Sequence, residues 1–163
     1  MKIRDAELKD AQQLDALLTK LIHEEARYDP NLNSACEIKD NYCDRIGING
    51  HKILLIEEGS EIAGYLYGFI YHIPGMYQSP IAIIDALFID EKYRRKGYAS
   101  RLVDAFRTFA RDNGACQVEL KVVSKNQQAL DLYKKLSFLE TKKYMKLELY
   151  ACSPQISKIS NTY

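Results

Sequence analysis

The 163 residues include no tryptophan, only four prolines and four cysteines, and no apolar stretch of membrane-spanning length. Cys36, Cys43, Cys116 and Cys152 show no Cys-x-x-Cys spacing and no nearby histidine pair, so neither a disulfide framework nor a zinc site is expected. The first residues lack the apolar core of a signal peptide. These absences favour a cytoplasmic protein with reduced thiols, no bound metal and no membrane partner.

The sequence also lacks an excess of either charge. Its 23 basic and 22 acidic residues leave a net charge of +1, which provides no extended basic surface and disfavours nucleic acid as a partner. Apolar residues make up 47% and charged residues 28%, the balance of an ordinary globular protein. We therefore expect one domain over residues 1–150, followed by a polar, mobile tail over 151–163.

The most informative stretch runs from residue 81 to residue 113. Residues 81–89 are almost all apolar and mostly branched, which predicts a strand buried on both faces. From position 99 the apolar period becomes that of a helix, with a stripe formed by Ala99, Leu102, Val103, Phe106 and Ala110. The helix is expected to end at Asn113-Gly114, because glycine favours a left-handed cap.

A basic turn with the pattern Arg94-x-x-Gly97-x-Ala99 joins this strand to this helix. The first N–H groups of a helix lack intrahelical partners and, with the positive end of the helix dipole, they form an anion site. Small residues at positions 97 and 99 let a phosphate approach the backbone, and Arg94, Arg95 and Lys96 add charge. The alternative is a solvated basic turn before an ordinary helix.

The turn resembles motif A of the GCN5-related N-acetyltransferases (GNAT), Arg/Gln-x-x-Gly-x-Gly/Ala. A second segment, Asn126 to Phe138, resembles that family's Asn-x-x-Ala-x-x-x-Tyr-x-x-x-Gly-Phe pattern, with Ala129 and Tyr133 at the matching positions. Two matches in order, with a strand between them, are more specific than either alone. Ser137 departs from the pattern, which usually has glycine there, so we expect a less comfortable helix cap and the same fold.

The resemblance covers residues 1–150 and implies an α/β (α+β) acyl-CoA N-acyltransferase fold. This fold has a mixed, mostly antiparallel sheet of six to seven strands, about four helices, and splayed fourth and fifth strands. The residue pattern predicts a first helix that ends before Asp29-Pro30, and three further helices over 36–46, 99–113 and 127–136. It predicts strands over 2–6, 52–57, 61–72, 81–89, 117–123, 138–141 and 143–150.

The predicted strand over 61–72 alternates in a way that assigns its faces. Strict alternation places Ala63 with the aromatic residues Tyr65, Tyr67, Phe69 and Tyr71, and places Ile62 with Gly64, Leu66, Gly68 and Ile70 on the opposite face. A glycine inside a strand marks either the close approach of a backbone or ligand, or close packing of a helix. The sequence leaves both readings open.

The resemblance implies acetyl-CoA as the cofactor, with its pyrophosphate at the turn and its pantetheine arm between the splayed strands. It implies that Leu87 and Ile89 contact the arm through their backbone and that the Leu87 N–H polarises the thioester carbonyl. The implied cofactor-binding residues are Leu87, Phe88, Ile89, Arg94, Arg95, Lys96, Gly97, Tyr98, Ala99, Asn126 and Tyr133.

Tyr133 resembles the family's tyrosine acid and is, with Asp85 and Leu87, a candidate catalytic residue. A phenol with a pKa near ~10 keeps its proton at neutral pH and can donate it to a departing thiolate. The alternative is a core tyrosine, which its place in the helix also allows. Asn126 is expected to contact the cofactor, to cap the helix, or both.

Asp85 is a carboxylate within an apolar strand, so it must be paired, hydrogen-bonded or open to a water-filled cleft. Some polyamine-type members of the family carry a base here, which makes Asp85 a candidate base or amine-orienting group, with a structural salt bridge as the alternative. The candidate substrate-binding residues are Glu25, Tyr28, Met76, Tyr77 and Asp85. Met76 and Tyr77 belong to a loop over 73–80 and have loop packing as their alternative role.

Together these features predict an acetyl-CoA-dependent N-acetyltransferase. It would transfer the acetyl group directly, in a ternary complex, to a primary amine of a small-molecule or polyamine-like acceptor. Two alternatives are a peptide or protein N-acetyltransferase and a non-catalytic acyl-CoA-binding sensor domain. Family members often pair, so a homodimer is a reasonable expectation, and no pattern identifies the acceptor.

Overall fold

One five-stranded sheet organises the part of the chain that the computed structural model describes, residues 1–147 and 149. The strands lie in chain order, with antiparallel pairing from the first to the fourth and parallel pairing between the last two. They are β1 Lys2–Asp5, β2 His51–Glu58, β3 Glu61–Tyr71, β4 Ile81–Ile89 and β5 Gln117–Leu120. The predicted mixed, mostly antiparallel sheet is confirmed.

Three α-helices accompany the sheet within the described residues: α1 Ala11–Glu25, α2 Tyr98–Asp112 and α3 Gln127–Lys135. Short 3-10 turns cover Leu8–Asp10 and Glu91–Tyr93. The count differs from the prediction, since five strands and three α-helices replace six to seven strands and about four helices. The predicted positions of the three helices and of the first five strands match the structure to within a few residues.

Each face of the sheet is covered by a different apolar layer. On one face, α2 packs through Leu102, Val103, Phe106 and Ala110 against strand residues such as Leu66. On the other face, α1 and the segment around Tyr42 pack against strand residues such as Leu55 and Tyr65. Gly68 is required by the first layer, because an added Cβ would overlap the Phe106 ring and the Ile83 carbonyl oxygen.

A bulge near the start of β3 corrects the predicted faces of that strand. Ile56 pairs with Gly64 whereas Glu57 pairs with Ile62, so Ala63 is the extra residue. Ile62 therefore lies on the α1 face with Tyr65 and Tyr67, and Ala63 packs in the α2 layer. The prediction that grouped Ala63 with the tyrosines was wrong, because strict alternation does not hold across a bulge.

A second bulge interrupts β4. Tyr67 pairs with Ala86 and Gly68 pairs with Ile84, which leaves Asp85 without a partner on β3. Ile84 packs in the α2 layer, whereas Ala86 packs in the α1 layer, so the bulge exchanges the two faces of the strand. Asp85 is consequently exposed although its neighbours on both sides are buried.

The helix predicted over 36–46 is absent, and this segment forms irregular turns. Two side chains of α1 instead accept hydrogen bonds from the backbone of this segment: Asp15 accepts from the Tyr42 N–H at 3.2 Å, and the Thr19 hydroxyl accepts from the Ile38 N–H at 3.0 Å. Asp40 also adopts a left-handed conformation with φ 55°, which interrupts helical geometry. Tyr42 is buried against the sheet, so the apolar pattern indicated packing rather than helix.

The strands predicted at 138–141 and over 143–147 are also absent. The large apolar side chains here are exposed, with Leu139 at 83% and Met145 at 94%. A strand needs a partner, and the edge strand β5 has only four residues. Residues 148 and 150 of the last predicted strand, and the predicted mobile tail over 151–163, lie outside the described residues.

Candidate functional site

A cleft opens where β4 and β5 separate. Their parallel pairing begins at Ile81 with Gln117 and ends at Ile84 with Leu120, so the following five residues of β4 have no strand beside them on that side. This geometry matches the predicted splay of the fourth and fifth strands. It leaves an edge of unpaired backbone groups inside the fold rather than at its periphery.

The hydrogen bonds around β4 show which backbone groups face this cleft. The Asp90 N–H donates to the Ala63 carbonyl on β3 at 2.9 Å, so the backbone of Phe88 also points to β3. By alternation, Leu87 and Ile89 point to the open side. The Ile89 carbonyl there accepts from Arg94 Nε at 2.9 Å, and the Leu87 N–H donates to no acceptor among the described residues.

The turn before α2 holds a run of unpaired N–H groups. From Arg95 to Ser100 no backbone N–H donates to an acceptor among the described residues, and Arg101 is the first to form a helical bond, to the Gly97 carbonyl at 3.2 Å. Arg95 and Gly97 adopt left-handed conformations with φ 67° and 77°, which curve the turn so that its N–H groups form a concave anion site.

The basic side chains of this turn are largely committed to protein partners. Arg94 pairs with Glu24, and Lys96 pairs with Glu58 at 3.0 Å. Arg95 is exposed and forms no ion pair with a described residue. The arrangement is therefore neither the predicted three-cation cluster nor a plain solvated turn: the backbone provides most of the donors.

The remaining predicted cofactor-binding residues have varied positions. The Tyr98 hydroxyl donates to Glu58 at 2.7 Å, and Ala99 packs against the α2 layer. Phe88 is buried under the Arg94 guanidinium, 5.7 Å from the ring centroid, so neither its side chain nor its backbone reaches the open edge. Asn126 caps α3, with its Oδ1 accepting from the Ala129 N–H at 3.1 Å.

Tyr133 is held in place by the end of α3. Ser137 has φ 65°, the Ser137 N–H donates to the Lys134 carbonyl, and the Phe138 N–H donates to the Tyr133 carbonyl at 2.9 Å. These bonds form a Schellman motif, and the Phe138 ring packs edge-on against Tyr133 with centroids 5.6 Å apart. The expectation of a strained cap at Ser137 is confirmed, and this cap fixes the candidate acid.

The Tyr133 hydroxyl is open and protonated. It forms no hydrogen bond with a described residue. In the described chain, Asn41 Nδ2 is the one side-chain polar atom that is both fully enclosed and without a partner, so the Tyr133 hydroxyl is not fully enclosed. Burial of the ring raises the pKa of Tyr133 to about 12, and the negative charge of Glu25 adds to the effect. At neutral pH the phenol therefore keeps its proton and can donate a hydrogen bond.

Two carboxylates on the α1 side of the cleft, Glu25 and Asp85, influence each other electrostatically. Burial raises the pKa of Glu25, and the charge of Asp85 raises it further, which places the two groups within electrostatic range of each other. Asp85 forms neither an ion pair nor a hydrogen bond with a described residue, so the structure favours an open carboxylate over the structural salt bridge. Lys121 also lies within electrostatic range of Asp85, but neither Asp85 nor Glu25 forms an ion pair with a described residue. Two carboxylates that are not ion-paired form a site suited to a positively charged ligand.

Of the other predicted substrate-binding residues, Met76 and Tyr77 lie in the loop over 73–80, whereas Tyr28 lies next to Glu25 at the end of α1. Tyr77 packs edge-on against Tyr71 with centroids 5.8 Å apart, and its carbonyl accepts from His72, as expected of loop packing. Met76 is 70% exposed in the same loop. Tyr28 is half-buried just after α1, where its N–H donates to the Glu25 carbonyl at 2.8 Å.

The sequence did not single out a wall of tyrosines beside Asp85. Tyr42 donates to the Tyr65 hydroxyl at 3.1 Å, and its ring packs edge-on against both Tyr65 and Tyr67 at 5.6 Å. The charge of Asp85 contributes to raising the pKa of all three phenols, although burial is the main cause. Alternation along β3 provided a partial signal, but the contribution of Tyr42 depends on the irregular segment after α1.

Within the described residues, no helix has the length and apolar character needed to cross a membrane. The same part of the chain contains no group of three or more histidine, cysteine, aspartate and glutamate side chains arranged to hold a metal ion.

Comparisons with known proteins agree with this geometry. Over 80 residues the chain is 32% identical to a thialysine N-epsilon-acetyltransferase of Sus scrofa, a segment that covers 48% of this chain and 45% of the pig protein. The chain thus spans less than half the length of that relative.

Solved structures share the fold at lower identity. A mutant form of the BH1408 protein from Bacillus halodurans superposes with a TM-score of 0.82 at 22% identity, covering 92% of this chain and all of that one. An aminoglycoside N-acetyltransferase in complex with CoA superposes with a TM-score of 0.70 at 15% identity, covering 92% and 100%. The model of the acetyltransferase (GNAT) family matches residues 18–138, and the chain therefore belongs to that family.

Proposed function

We propose that the chain transfers an acetyl group from acetyl-CoA directly, in a ternary complex, to a primary amine of a small, positively charged acceptor. One observation carries the proposal. A single strand, β4, presents the free Leu87 N–H to the open cleft and, two residues earlier, holds Asp85 near Glu25 on the α1 side. The N–H that can polarise a carbonyl and the carboxylate that can bind a cation thus lie two residues apart on one strand.

The residues at the turn fit coenzyme A. The unpaired N–H groups of residues 95–100 match a diphosphate, and an added Cβ at Gly97 would meet no protein atom within 4 Å, so the space above the turn is open. The free edge of β4 at Leu87 and Ile89 can hydrogen-bond to the amide-bearing arm as a neighbouring strand would. When bound, acetyl-CoA supplies the activated acetyl thioester.

Each residue then has a distinct task. The Leu87 N–H donates to the carbonyl oxygen on which charge develops, a contribution generally worth about 100-fold or more in rate. Asp85 and Glu25 attract the ammonium group of the acceptor, and Asp85 accepts its proton directly or through water before the nitrogen attacks. The C–N bond forms, the C–S bond breaks, and the sulfur takes a proton from Tyr133.

The pKa of Tyr133 restricts how that last proton moves. A phenol with a pKa of about 12 donating to a thiolate whose acid has a pKa near ~8.5 is uphill by roughly 3.5 units, or about 5 kcal/mol. A free phenolate is therefore not a stable product. Tyr133 acts as a relay that gives its proton to sulfur as it receives another from the amine side.

The pig relative supports an amine acceptor that carries further charge, since its name specifies an amino acid amine. Incubating the protein with acetyl-CoA and a panel of thialysine, diamines, polyamines and peptides, while following free thiol, tests the proposal. We expect thiol release with the small cationic amines, and at least tenfold less with Asp85→Asn. Asp112→Asn, an exposed carboxylate of α2, is the matched control and retains full activity.

The absence of acceptor-dependent thiol release across the panel, together with tight coenzyme A binding by calorimetry, would replace this proposal with the non-catalytic sensor. Peptides that outperform every free amine would replace it with the peptide N-acetyltransferase. Each outcome is visible in the same assay.

A further inference from the structure

A cavity of about 190 Å³ lies at the start of β2, against the turn that follows the Tyr42 segment. Arg45 and His51 line it, together with the exposed Gly47. The cavity is on the same side of the sheet as the tyrosine wall, because the His51 ring stacks on Tyr67 with centroids 5.9 Å apart. It is therefore a neighbour of the acceptor side of the cleft.

Arg45 is a cation that has no carboxylate partner among the described residues. Its guanidinium carbon lies 5.3 Å from the centroid of the Tyr67 ring and 5.8 Å from that of Tyr42, and it forms no ion pair with a described residue. Lys52, which lines the same cavity, differs in this respect, since its Nζ pairs with Asp5 at 2.7 Å. The uncompensated positive charge of the cavity is that of Arg45.

His51 adds a directed donor beside it. The Tyr67 hydroxyl lies 3.0 Å from His51 Nδ1, and a tyrosine that donates to Nδ1 leaves the proton of a neutral imidazole on Nε2. No described residue hydrogen-bonds to that Nε2. A half-buried guanidinium and an imidazole N–H that line one cavity match the oxygens of a carboxylate.

The same tyrosines separate this cation from Asp85. Tyr67 on β3 is paired with Ile53 of β2 on one side and with Ala86 of β4, next to Asp85, on the other. Two strand spacings, about 10 Å, separate the backbones of β2 and β4 at this point. An amine and a carboxylate joined by about five or six single bonds, with a hydrogen bond added at each end, span a distance of that order.

We propose that Arg45 and His51 form the carboxylate-binding end of the acceptor site, so that the acceptor is an amino acid whose side-chain amine reaches Asp85. This inference rests on the proposed function and names the substrate class more closely. Arg45 and Asp85 both lie within electrostatic range of the Tyr67 phenol, and neither forms an ion pair with a described residue, which leaves both available to a zwitterion. A simple diamine would use only the Asp85 end.

The test compares L-lysine with 1,5-diaminopentane, which differs from it only by the missing carboxylate. We expect the wild-type protein to prefer L-lysine by about 10- to 100-fold, both in calorimetric binding and in kcat/KM for thiol release. Arg45→Gln should remove this preference by weakening L-lysine alone, and Arg45→Lys should restore part of it. Lys39→Gln removes an exposed charge of the same segment and serves as the control.

Inorganic phosphate identifies the group that the cavity recognises. It should compete with L-lysine and not with 1,5-diaminopentane, and the competition should disappear in Arg45→Gln. Equal affinity for the two amines, or an Arg45→Gln variant that loses thermal stability while keeping the preference, would overturn the inference and leave Arg45 a support of the tyrosine wall.

The calorimetric readout separates this inference from the proposed function. A carboxylate preference in binding without thiol release would sustain the site and refute acetyl transfer. Thiol release from both amines at equal kcat/KM would sustain acetyl transfer and refute the site.

Discussion

The two walls of the cleft are built from different parts of the chain. At the turn before α2 the donors are backbone N–H groups, and the nearby cations Arg94 and Lys96 are paired with Glu24 and Glu58. On the α1 side the functional groups are side chains, Asp85 and Glu25 among tyrosines, and neither carboxylate forms an ion pair with a described residue. The first wall binds through the backbone and therefore suits a ligand of constant chemistry. The second wall binds through side chains, so single substitutions can alter it without disturbing the first.

The largest expected effect is at Tyr133, which lies within electrostatic range of Glu25. Tyr133→Phe removes the proton relay and should lower kcat by about 100- to 10,000-fold, as loss of a general acid generally does. Calorimetry should show coenzyme A affinity unchanged within about threefold. A variant as active as the wild type would mean that another group protonates the sulfur.

The backbone character of the turn is tested by a pair of substitutions. Gly97→Ala places a Cβ at a residue with φ 77°, above the open amides, and should weaken coenzyme A binding by tenfold or more, with a stability cost of about 1–2 kcal/mol. Lys96→Gln should change that affinity less than about threefold, because the lysine is already paired. A larger effect for Lys96→Gln would mean that side chains, not amides, bind the phosphates.

The side-chain wall is tested at Glu25, whose pKa is raised by burial and by Asp85. At low pH both the folded and unfolded states are protonated. As the pH rises past the ordinary value near ~4.3, the unfolded carboxyl ionises first, so folding stability falls until the folded pKa is passed.

Glu25→Gln should therefore be more stable than the wild type at pH 7 and lose that advantage near pH 4, while its affinity for cationic acceptors drops by about tenfold. Thermal unfolding at the two pH values and acceptor KM measure both parts. Glu24→Gln changes the neighbouring residue on the same helix and removes its ion pair with Arg94, so it should show no such gain. A stability gain for Glu25→Gln that is equal at both pH values would contradict a raised pKa for Glu25.

The smallest expected effect concerns the cap that holds Tyr133. Ser137→Gly relieves a left-handed conformation with φ 65° and should stabilise the protein by about 1 kcal/mol, seen as a higher unfolding midpoint in urea. Activity should not change, since the hydrogen bonds from Ser137 and Phe138 are made by the backbone. Lower stability would mean that the serine side chain provides something that the backbone does not.

The sequence predicted the backbone wall far better than the side-chain wall. Arg94-x-x-Gly97-x-Ala99 encodes a local structure, and a helix start after a strand exposes its N–H groups whatever surrounds it. The splay of β4 and β5 followed from the resemblance, not from the residues. The pattern did not foresee that Arg94 and Lys96 pair with Glu24 and Glu58, because these partners are distant in sequence.

The acceptor wall depends on features that a periodic pattern does not encode. The bulge that exposes Asp85 breaks the alternation of β4, and the bulge at Ala63 exchanges the faces of β3. Tyr42 and Arg45 reach the wall because Asp15 and Thr19 capture the segment after α1 as irregular turns. The apolar pattern there indicated a helix. Hydrogen bonds from backbone amides to side chains of another helix leave no periodic signal in the sequence, so the pattern did not reveal them.

The most direct test of the account is a titration of the nitrogen-15-labelled protein with coenzyme A, followed by NMR of the backbone amides. The account predicts that the N–H groups of residues 95–100 and of Leu87 show the largest shifts, with small changes along α1. Large shifts confined to other residues, with those seven amides unmoved, would contradict a cleft in which the main chain binds the diphosphate and polarises the thioester.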